Sequence, residues 1–144
     1  MILPLFVDVK GKNIAIAGSG RVGSRRAKKL AKAGAKVTVY SLKLPGKKVK
    51  GIEYRKKSLS EKNIAVLFEK KPFLVVGATS SVELNMKISQ TTKKRDVLCS
   101  CSGAFKKGDV VFPSSSKKGK TLFCITTGDP KKSREKIKKI KKSL

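Results

Sequence analysis

The chain has 144 residues, of which 39% are hydrophobic, so it can bury one core and is not a disordered tail. It holds 36 Lys and Arg against 9 Asp and Glu, and the formal charge of +27 predicts attraction for nucleic acid, an anionic membrane or a polycarboxylate substrate. The sequence contains no histidine, which excludes the commonest metal ligand and the usual acid-base group at neutral pH, and we predict no metal site.

The cysteines and the hydropathy bear on the compartment. The three cysteines lack the paired spacing of a zinc ribbon or a disulfide framework, which indicates reduced thiols. No apolar run approaches the length of a membrane span, and the N-terminus is too soon interrupted by charge for a signal peptide. We therefore expect a cytoplasmic protein that does not insert into a membrane.

The first predicted elements are a strand, a glycine-rich turn and a helix. An apolar run, Asn13–Ala17, precedes the hexapeptide GSGRVG, and a helix follows from about Val22 to Lys32. In this context Gly18 permits the tight turn, Gly20 lets a pyrophosphate approach the backbone, and Gly23 lets the helix pack against the strand. Free N–H groups at the helix start would face the phosphates. The hexapeptide therefore predicts a dinucleotide site.

Strands and helices go on alternating along the next part of the chain. The predicted elements are strands over Ala35–Tyr40, Gly51–Arg55, Pro72–Gly77 and Asp96–Cys101, a helix capped by Ser60 that runs to about Lys70, and a helix over Val82–Thr92. This alternation predicts an α/β fold with a Rossmann-like, doubly wound parallel sheet.

The last part of the chain has a different pattern. Two short strands, Val110–Phe112 and Thr121–Thr126, are expected to form an antiparallel hairpin that extends the sheet. A basic helix is expected to begin at Asp129-Pro130. We therefore predict an NAD(P)-binding domain over residues 1–109 and a hairpin-plus-helix extension over residues 110–144, which would offer a surface to a second subunit.

The end of the second strand bears on the choice of cofactor. An acidic residue commonly binds the ribose 2′-hydroxyl of NAD at this place, but the sequence here is Tyr40-Ser41-Leu42-Lys43. A lysine would tolerate a 2′-phosphate, so NADP is a candidate beside NAD. Equally, Lys43 can be one lysine among many in a solvated loop.

Several short segments occur in an order that is typical of one enzyme family. They are Leu3-Pro4-Leu5-Phe6, the glycine hexapeptide, Ala33–Val39, Ala78-Thr79 followed by Asn85, and Phe112-Pro113-Ser114. With these segments the chain resembles the precorrin-2 dehydrogenase/sirohydrochlorin ferrochelatase family of siroheme synthesis. The resemblance covers essentially the whole chain, although longer members carry a further C-terminal helical region.

The resemblance implies an NAD-dependent oxidation of precorrin-2 to sirohydrochlorin, followed in some relatives by iron insertion. It also implies a homodimer formed through the segment after the Rossmann domain. Cofactor contacts are expected from Gly18, Gly20, Arg21, Val22, Gly23, Leu42, Lys43, Ala78 and Thr79. Contacts to the polycarboxylate substrate are expected from Arg21, Asn85, Lys106, Lys107 and Ser114.

The chain departs from the family pattern at Ser80-Ser81, where acidic residues are frequent, and at one more important position. An aspartate to which the family's proton chemistry is ascribed is replaced here by Gly103, and Asp109 is the candidate to take its place. Hydride transfer chiefly requires alignment of substrate and cofactor, so the loss need not abolish dehydrogenation. Two alternatives stay open: a nucleotide- or tetrapyrrole-binding protein with impaired catalysis, and nonspecific nucleic-acid binding by the basic surface.

Overall fold

The computed structural model describes residues 2–102 and 108–144 of the chain. By its internal contacts the chain divides into a first unit that ends at Val110 and a second unit, Val111–Leu144. The strands are β1 Asn13–Ala17, β2 Lys36–Ser41, β3 Ile52–Lys56, β4 Leu74–Gly77, β5 Leu98–Cys101, β6 Ser114–Lys118 and β7 Thr121–Ile125. The helices are α1 Arg21–Lys32, α2 Val82–Lys94 and α3 Pro130–Ser143, and Ile64–Phe68 form a 3₁₀-helix.

The first unit is built on a parallel sheet of five strands in the order β3-β2-β1-β4-β5. Apolar residues on both faces of its central strands explain the parallel arrangement, because such sheets are covered on both sides. In β1, Ile14 and Ile16 are buried on one face, and Ala15 and Ala17 are buried on the other. The predicted Rossmann-like α/β fold is confirmed.

The helix predicted from Ser60 to about Lys70 is wrong, because only a short 3₁₀-helix forms there. The hydrogen bonds at the start of this segment describe the difference. Asn63 Oδ1 accepts a hydrogen bond from the Ser60 N–H at 2.8 Å, and its Nδ2 donates to the carbonyl of Ser58 at 2.8 Å. The backbone then bonds over three residues, from the Asn63 N–H to the Ser60 carbonyl and from the Val66 N–H to the Asn63 carbonyl, both at 3.1 Å, which is the 3₁₀ pattern and not the α-helical one.

The predicted hairpin forms, but its first strand differs from the prediction and the hairpin does not join the parallel sheet. Its first strand is β6, in the Ser/Lys-rich stretch expected to be a loop, rather than Val110–Phe112. Gly119, at φ +58°, lies in a turn that pairs Lys118 directly with Thr121. A turn this tight pairs the residues on either side of it, so it sets the register of both strands. The hairpin is also a separate two-stranded sheet and does not extend the parallel one.

In the second unit, α3 packs against the hairpin. The predicted start of this helix is confirmed: Asp129 Oδ1 accepts hydrogen bonds from the N–H groups of Lys131 and Lys132, and Pro130 occupies the first turn. Ser133 and Ile137 are its buried residues. Within the described part of the chain, no helix is long and apolar enough to cross a membrane.

Candidate functional site

The candidate site lies where the loops that follow β1 and β4 meet. From β1 the chain builds the sheet outward to β3, and it then crosses to β4 on the other side of β1. The carboxyl ends of two strands that flank such a reversal form the usual ligand crevice of an open α/β sheet. The Ala78 N–H donates to the carbonyl of Ala17 at 2.8 Å, so the two loops begin side by side.

Gly18 is required by the close approach of these two loops. It has φ +104°, and a Cβ on it would lie 2.3 Å from the carbonyl oxygen of Ala78. Its N–H also donates to the carbonyl of Tyr40 at 2.9 Å, which ties the glycine loop to β2. A Cβ on Gly23 would lie 2.2 Å from the carbonyl oxygen of Gly18, so α1 also packs closely against this loop. Both glycines therefore serve backbone packing.

Gly20 faces open space. A Cβ built on it meets no atom within 4 Å, although Gly20 is the N-cap of α1. Its backbone is extended, no side chain caps the helix, and the first turn carries no acidic residue. Hydrogen-bond donors at such a helix start attract phosphate. The first turn of α1, with Arg21 and Val22, therefore fits the pyrophosphate of a dinucleotide.

The end of β2 is held against the glycine loop by two serines. Ser19 Oγ lies 2.8 Å from Ser41 Oγ and also donates to the carbonyl of Lys43. The side chain of Leu42 is 57% exposed, and Lys43 is exposed beside it. The predicted nucleotide residues 42 and 43 thus lie next to the predicted phosphate loop. Sequence reasoning missed Ser19 and Ser41, which hold them there.

Asn85 is a positioning residue in this structure. It is 1% exposed, and its Oδ1 accepts from the N–H of Thr79 at 3.0 Å and from its Oγ1 at 2.7 Å. Its Nδ2 donates to the carbonyl of Thr79 at 3.0 Å and to that of Ser102 at 3.4 Å. These bonds use the amide inside the protein, where Asn85 joins the loops after β4 and β5. Its predicted contact with substrate stays a prediction.

The structure places Asp109 at the outer edge of β5. Its Oδ2 accepts from the Cys99 N–H at 3.1 Å, and its own N–H donates to the Cys99 carbonyl at 2.7 Å. The carboxylate therefore pairs with the middle of the strand rather than with the carboxyl ends where the glycine loop lies. Its catalytic role stays a prediction.

The other substrate candidates are not brought together by the described residues. Gly103, Lys106 and Lys107 lie outside the described part of the chain. Ser114 begins β6 in the second unit. The predicted contacts of Lys106, Lys107 and Ser114 with substrate therefore stay predictions.

Two buried cysteines lie on β5. The Sγ atoms of Cys99 and Cys101 are 3.9 Å apart and buried, and Cys101 donates to the Asn85 carbonyl at 3.0 Å. The hydrogen bond with Cys99, together with burial, raises the pKa of Cys101 above the ordinary thiol value, so this sulfur stays protonated. We infer that it supports the buried carbonyl of Asn85 rather than reacting.

Arg26 was not predicted from the sequence. Its Nη1 donates to Ser100 Oγ at 3.1 Å, which joins α1 to β5 across the sheet. Burial lowers the pKa of its guanidinium from the ordinary value, and the nearby charge of Arg25 acts in the same direction. Its position three residues after the buried Gly23 was the available sign that it borders the packed face of α1.

Comparison with known proteins identifies the family. A sequence-family model described as "Putative NAD(P)-binding" matches residues 5–114. The chain belongs to this NAD(P)-binding family. The match includes the glycine loop, β2 and the loop after β4, which are the parts brought together in the candidate site.

Relatives of this NAD(P)-binding chain include siroheme enzymes. The siroheme synthase of Buchnera aphidicola is 32% identical over 126 residues, which cover 88% of this chain and 27% of the relative. The precorrin-2 dehydrogenase of Methanosarcina barkeri is 33% identical over 133 residues, which cover 87% of this chain and 58% of the relative. These matches confirm the resemblance to the precorrin-2 dehydrogenase family, although the chain spans less than two thirds of either protein.

A solved structure supports the fold of this family. The chain superposes on SirC, described as a precorrin-2 dehydrogenase, with a TM-score of 0.77. The superposition covers 99% of this chain and 71% of SirC at 19% sequence identity. At that identity the likeness supports the fold.

Proposed function

We propose that this protein is a precorrin-2 dehydrogenase that oxidises precorrin-2 to sirohydrochlorin. In the reaction a hydride leaves a substrate carbon for the nicotinamide ring and a proton is released. The observation that carries the proposal is the open space at Gly20, at the uncapped start of α1 and in the same loop as Gly18, which contacts the turn after β4. The siroheme enzymes among the relatives supply the substrate class.

Each part of the site has a proposed task. The first turn of α1 binds the pyrophosphate, Leu42 and Lys43 contact the adenosine half, and Ala78-Thr79 border the cofactor. When bound, the nicotinamide accepts the hydride. The chain's own contribution is then to align the two reactants and to exclude competing reactions. Arg21 is the described basic side chain proposed to attract substrate carboxylates.

The cofactor proposal includes both nicotinamide dinucleotides. Residues 40–43 contain no acidic side chain to favour the free 2′-hydroxyl of NAD, and Lys43 is exposed at this place. The resemblance to the precorrin-2 dehydrogenase family favours NAD, and NADP is the alternative. Iron insertion needs a group that accepts pyrrole protons, so the proposal is limited to dehydrogenation.

We also propose that the protein is a homodimer formed through residues 110–144. A two-stranded sheet is marginal alone, and among the described residues β6 and β7 pair only with each other. Leu122 on β7 is 52% exposed, which adds apolar surface to this sheet. The cytoplasmic location stays a prediction from the cysteines.

The test is anaerobic turnover of enzymatically generated precorrin-2 with NAD or NADP, followed by sirohydrochlorin absorbance. The matched variant is Gly20→Asp. Aspartate suits an N-cap with extended backbone, so the variant should keep its stability or gain about 0.3 kcal/mol. Its carboxylate would occupy the phosphate position and repel the pyrophosphate. We expect turnover and cofactor binding to be lost in a protein that unfolds no earlier than the wild type.

The possible outcomes separate the proposal from its alternative. Turnover in the wild type, lost in Gly20→Asp, supports the dehydrogenase. Cofactor binding without turnover of precorrin-2 by either cofactor would indicate a nucleotide-binding protein with impaired catalysis. Unchanged turnover in Gly20→Asp would place the pyrophosphate elsewhere and contradict the site.

A further inference from the structure

The second unit carries a strong positive charge that nothing within it neutralises. Residues 111–144 contain ten lysines and one arginine against Asp129 and Glu135, a net charge of +9. The structure describes all of these residues, and none of them takes part in an ion pair. The ion pairs of the described chain join residues 53, 55, 69 and 70 of the first unit. The second unit is therefore an uncompensated polycation.

The fold gathers part of this charge around one end of the second unit. The buried side of α3, with Ser133 and Ile137, packs against the hairpin, so its lysines remain exposed. Lys118 Nζ donates to the carbonyl of Lys141 at 3.5 Å, which brings the hairpin turn beside the end of α3. We call the exposed lysines of the hairpin turn and of the last two turns of α3 the lysine surface: Lys118, Lys120, Lys138, Lys139, Lys141 and Lys142.

We propose that the lysine surface binds the phosphate backbone of nucleic acid without sequence preference. Exposed lysines that neutralise several phosphates release condensed counterions, which is the main source of nonspecific affinity for nucleic acid. The surface has no aromatic side chain on which a base could stack, and lysines alone position a backbone without reading bases. The proposal is independent of the dehydrogenase function.

The packing of α3 favours nucleic acid over an anionic membrane. A helix that binds a membrane surface inserts an apolar face between the lipids. In α3 that face is partly used: Ile137 is 7% exposed against the hairpin, which leaves Ile140, 39% exposed, and the last residue, Leu144, 57% exposed. The exposed surface of α3 therefore consists mainly of lysines, with little apolar area to insert into a membrane. Such a surface favours a partner with a high density of negative charge, which nucleic acid provides.

The test compares two quadruple variants of the full chain that lose the same charge. The first is Lys138→Gln, Lys139→Gln, Lys141→Gln and Lys142→Gln. The matched control is Lys28→Gln, Lys32→Gln, Lys93→Gln and Lys94→Gln, exposed lysines on α1 and α2 of the first unit. Glutamine has nearly the helix propensity of lysine, so the helices should persist. Binding is measured by the fluorescence anisotropy of a short labelled duplex of mixed sequence at several salt concentrations.

We expect the first variant to lose at least ~10-fold in affinity, with the slope of log K against log salt smaller by about 3. The control should lose less than ~3-fold and keep its slope. Equal losses in the two variants would show that total charge, rather than this surface, attracts the duplex. Tighter binding to phosphatidylserine vesicles than to the duplex would overturn the choice of partner.

A measurement on the unmodified chain guards against a folding defect in either variant. Lysine acetylation, read by mass spectrometry with and without the duplex, should show protection at Lys138, Lys139, Lys141 and Lys142. Lys28 and Lys32 should be modified at the same rate in both conditions. Uniform protection, or none at physiological salt, would contradict the proposal.

Discussion

At the scale of single residues, two glycines of one motif are required for opposite reasons. Gly18 is needed by the protein itself, since a Cβ there would meet the carbonyl of Ala78. Gly20 is needed by the proposed ligand, since a Cβ there would meet no protein atom. A substitution at Gly18 is therefore expected to act on folding, whereas one at Gly20 is expected to act on binding.

Gly18→Ala should lower the free energy of unfolding by about 2–4 kcal/mol. A positive φ costs ~1–3 kcal/mol in a residue with a side chain, and the contact with Ala78 adds to it. The measurement is urea unfolding followed by circular dichroism. Gly46→Ala is the control, since its Cβ would meet nothing and no positive φ is required, and it should change stability by less than ~0.5 kcal/mol. Equal stability of the two variants would contradict the close approach.

At the scale of elements, an exposed ion-pair cluster joins β3 to the segment after the 3₁₀-helix. Glu53 on β3 accepts hydrogen bonds from Lys70 and from Arg55, the latter at 2.7 Å. The Lys70 bond first, and then the Arg55 bond, hold the pKa of Glu53 below its usual range. The ionised carboxylate is therefore more favourable in the folded than in the unfolded chain.

Glu53→Gln should lower stability at neutral pH and leave it unchanged in acid. A carboxyl group with a depressed folded pKa contributes stability above its unfolded pKa, and the contribution is lost as the pH falls through the folded pKa. Because the groups are partly exposed, we expect a loss of ~0.2–1 kcal/mol at neutral pH, which vanishes in acid below the folded pKa and in concentrated salt. The check is urea unfolding of both proteins at the two pH values. A loss that persists in acid would show that shape, rather than charge, is responsible.

At the scale of the whole molecule, the second unit has two opposing properties. Its two-stranded sheet favours association through the strand edges and Leu122, while its net charge of +9 makes two copies repel each other. Salt screens that repulsion, so the proposed dimer should tighten as salt is added. Binding of nucleic acid should weaken under the same change.

Leu122→Asp should shift the dimer toward monomer. The change places a charge in the proposed apolar contact, and we expect at least ~10-fold weaker association by analytical ultracentrifugation. Val82→Asp is the control, because Val82 is 53% exposed at the start of α2, where a carboxylate is tolerated. A protein that is monomeric at every salt concentration, or a dimer insensitive to Leu122→Asp, would contradict the proposed interface.

Local signals in the sequence were sufficient for the elements they govern directly. An apolar strand followed by the glycine hexapeptide predicts β1, the turn and α1, because backbone sterics and burial act over neighbouring residues. Asp129-Pro130 predicts the start of α3 for the same reason. The family resemblance depended on such local segments and on their order.

Only the tertiary structure decided the roles that depend on distant partners. Asn85 joins two loops, Asp109 binds the edge of β5, and Arg26 reaches Ser100, each through contacts between separate parts of the chain. The register of the hairpin was likewise set by its tight turn at Gly119 rather than by hydrophobicity. The sequence alone determined the parallel sheet and the glycine loop, because they follow from patterns among neighbours. What each polar side chain does was decided by the fold, because a hydrogen bond needs a partner that the fold alone brings within reach.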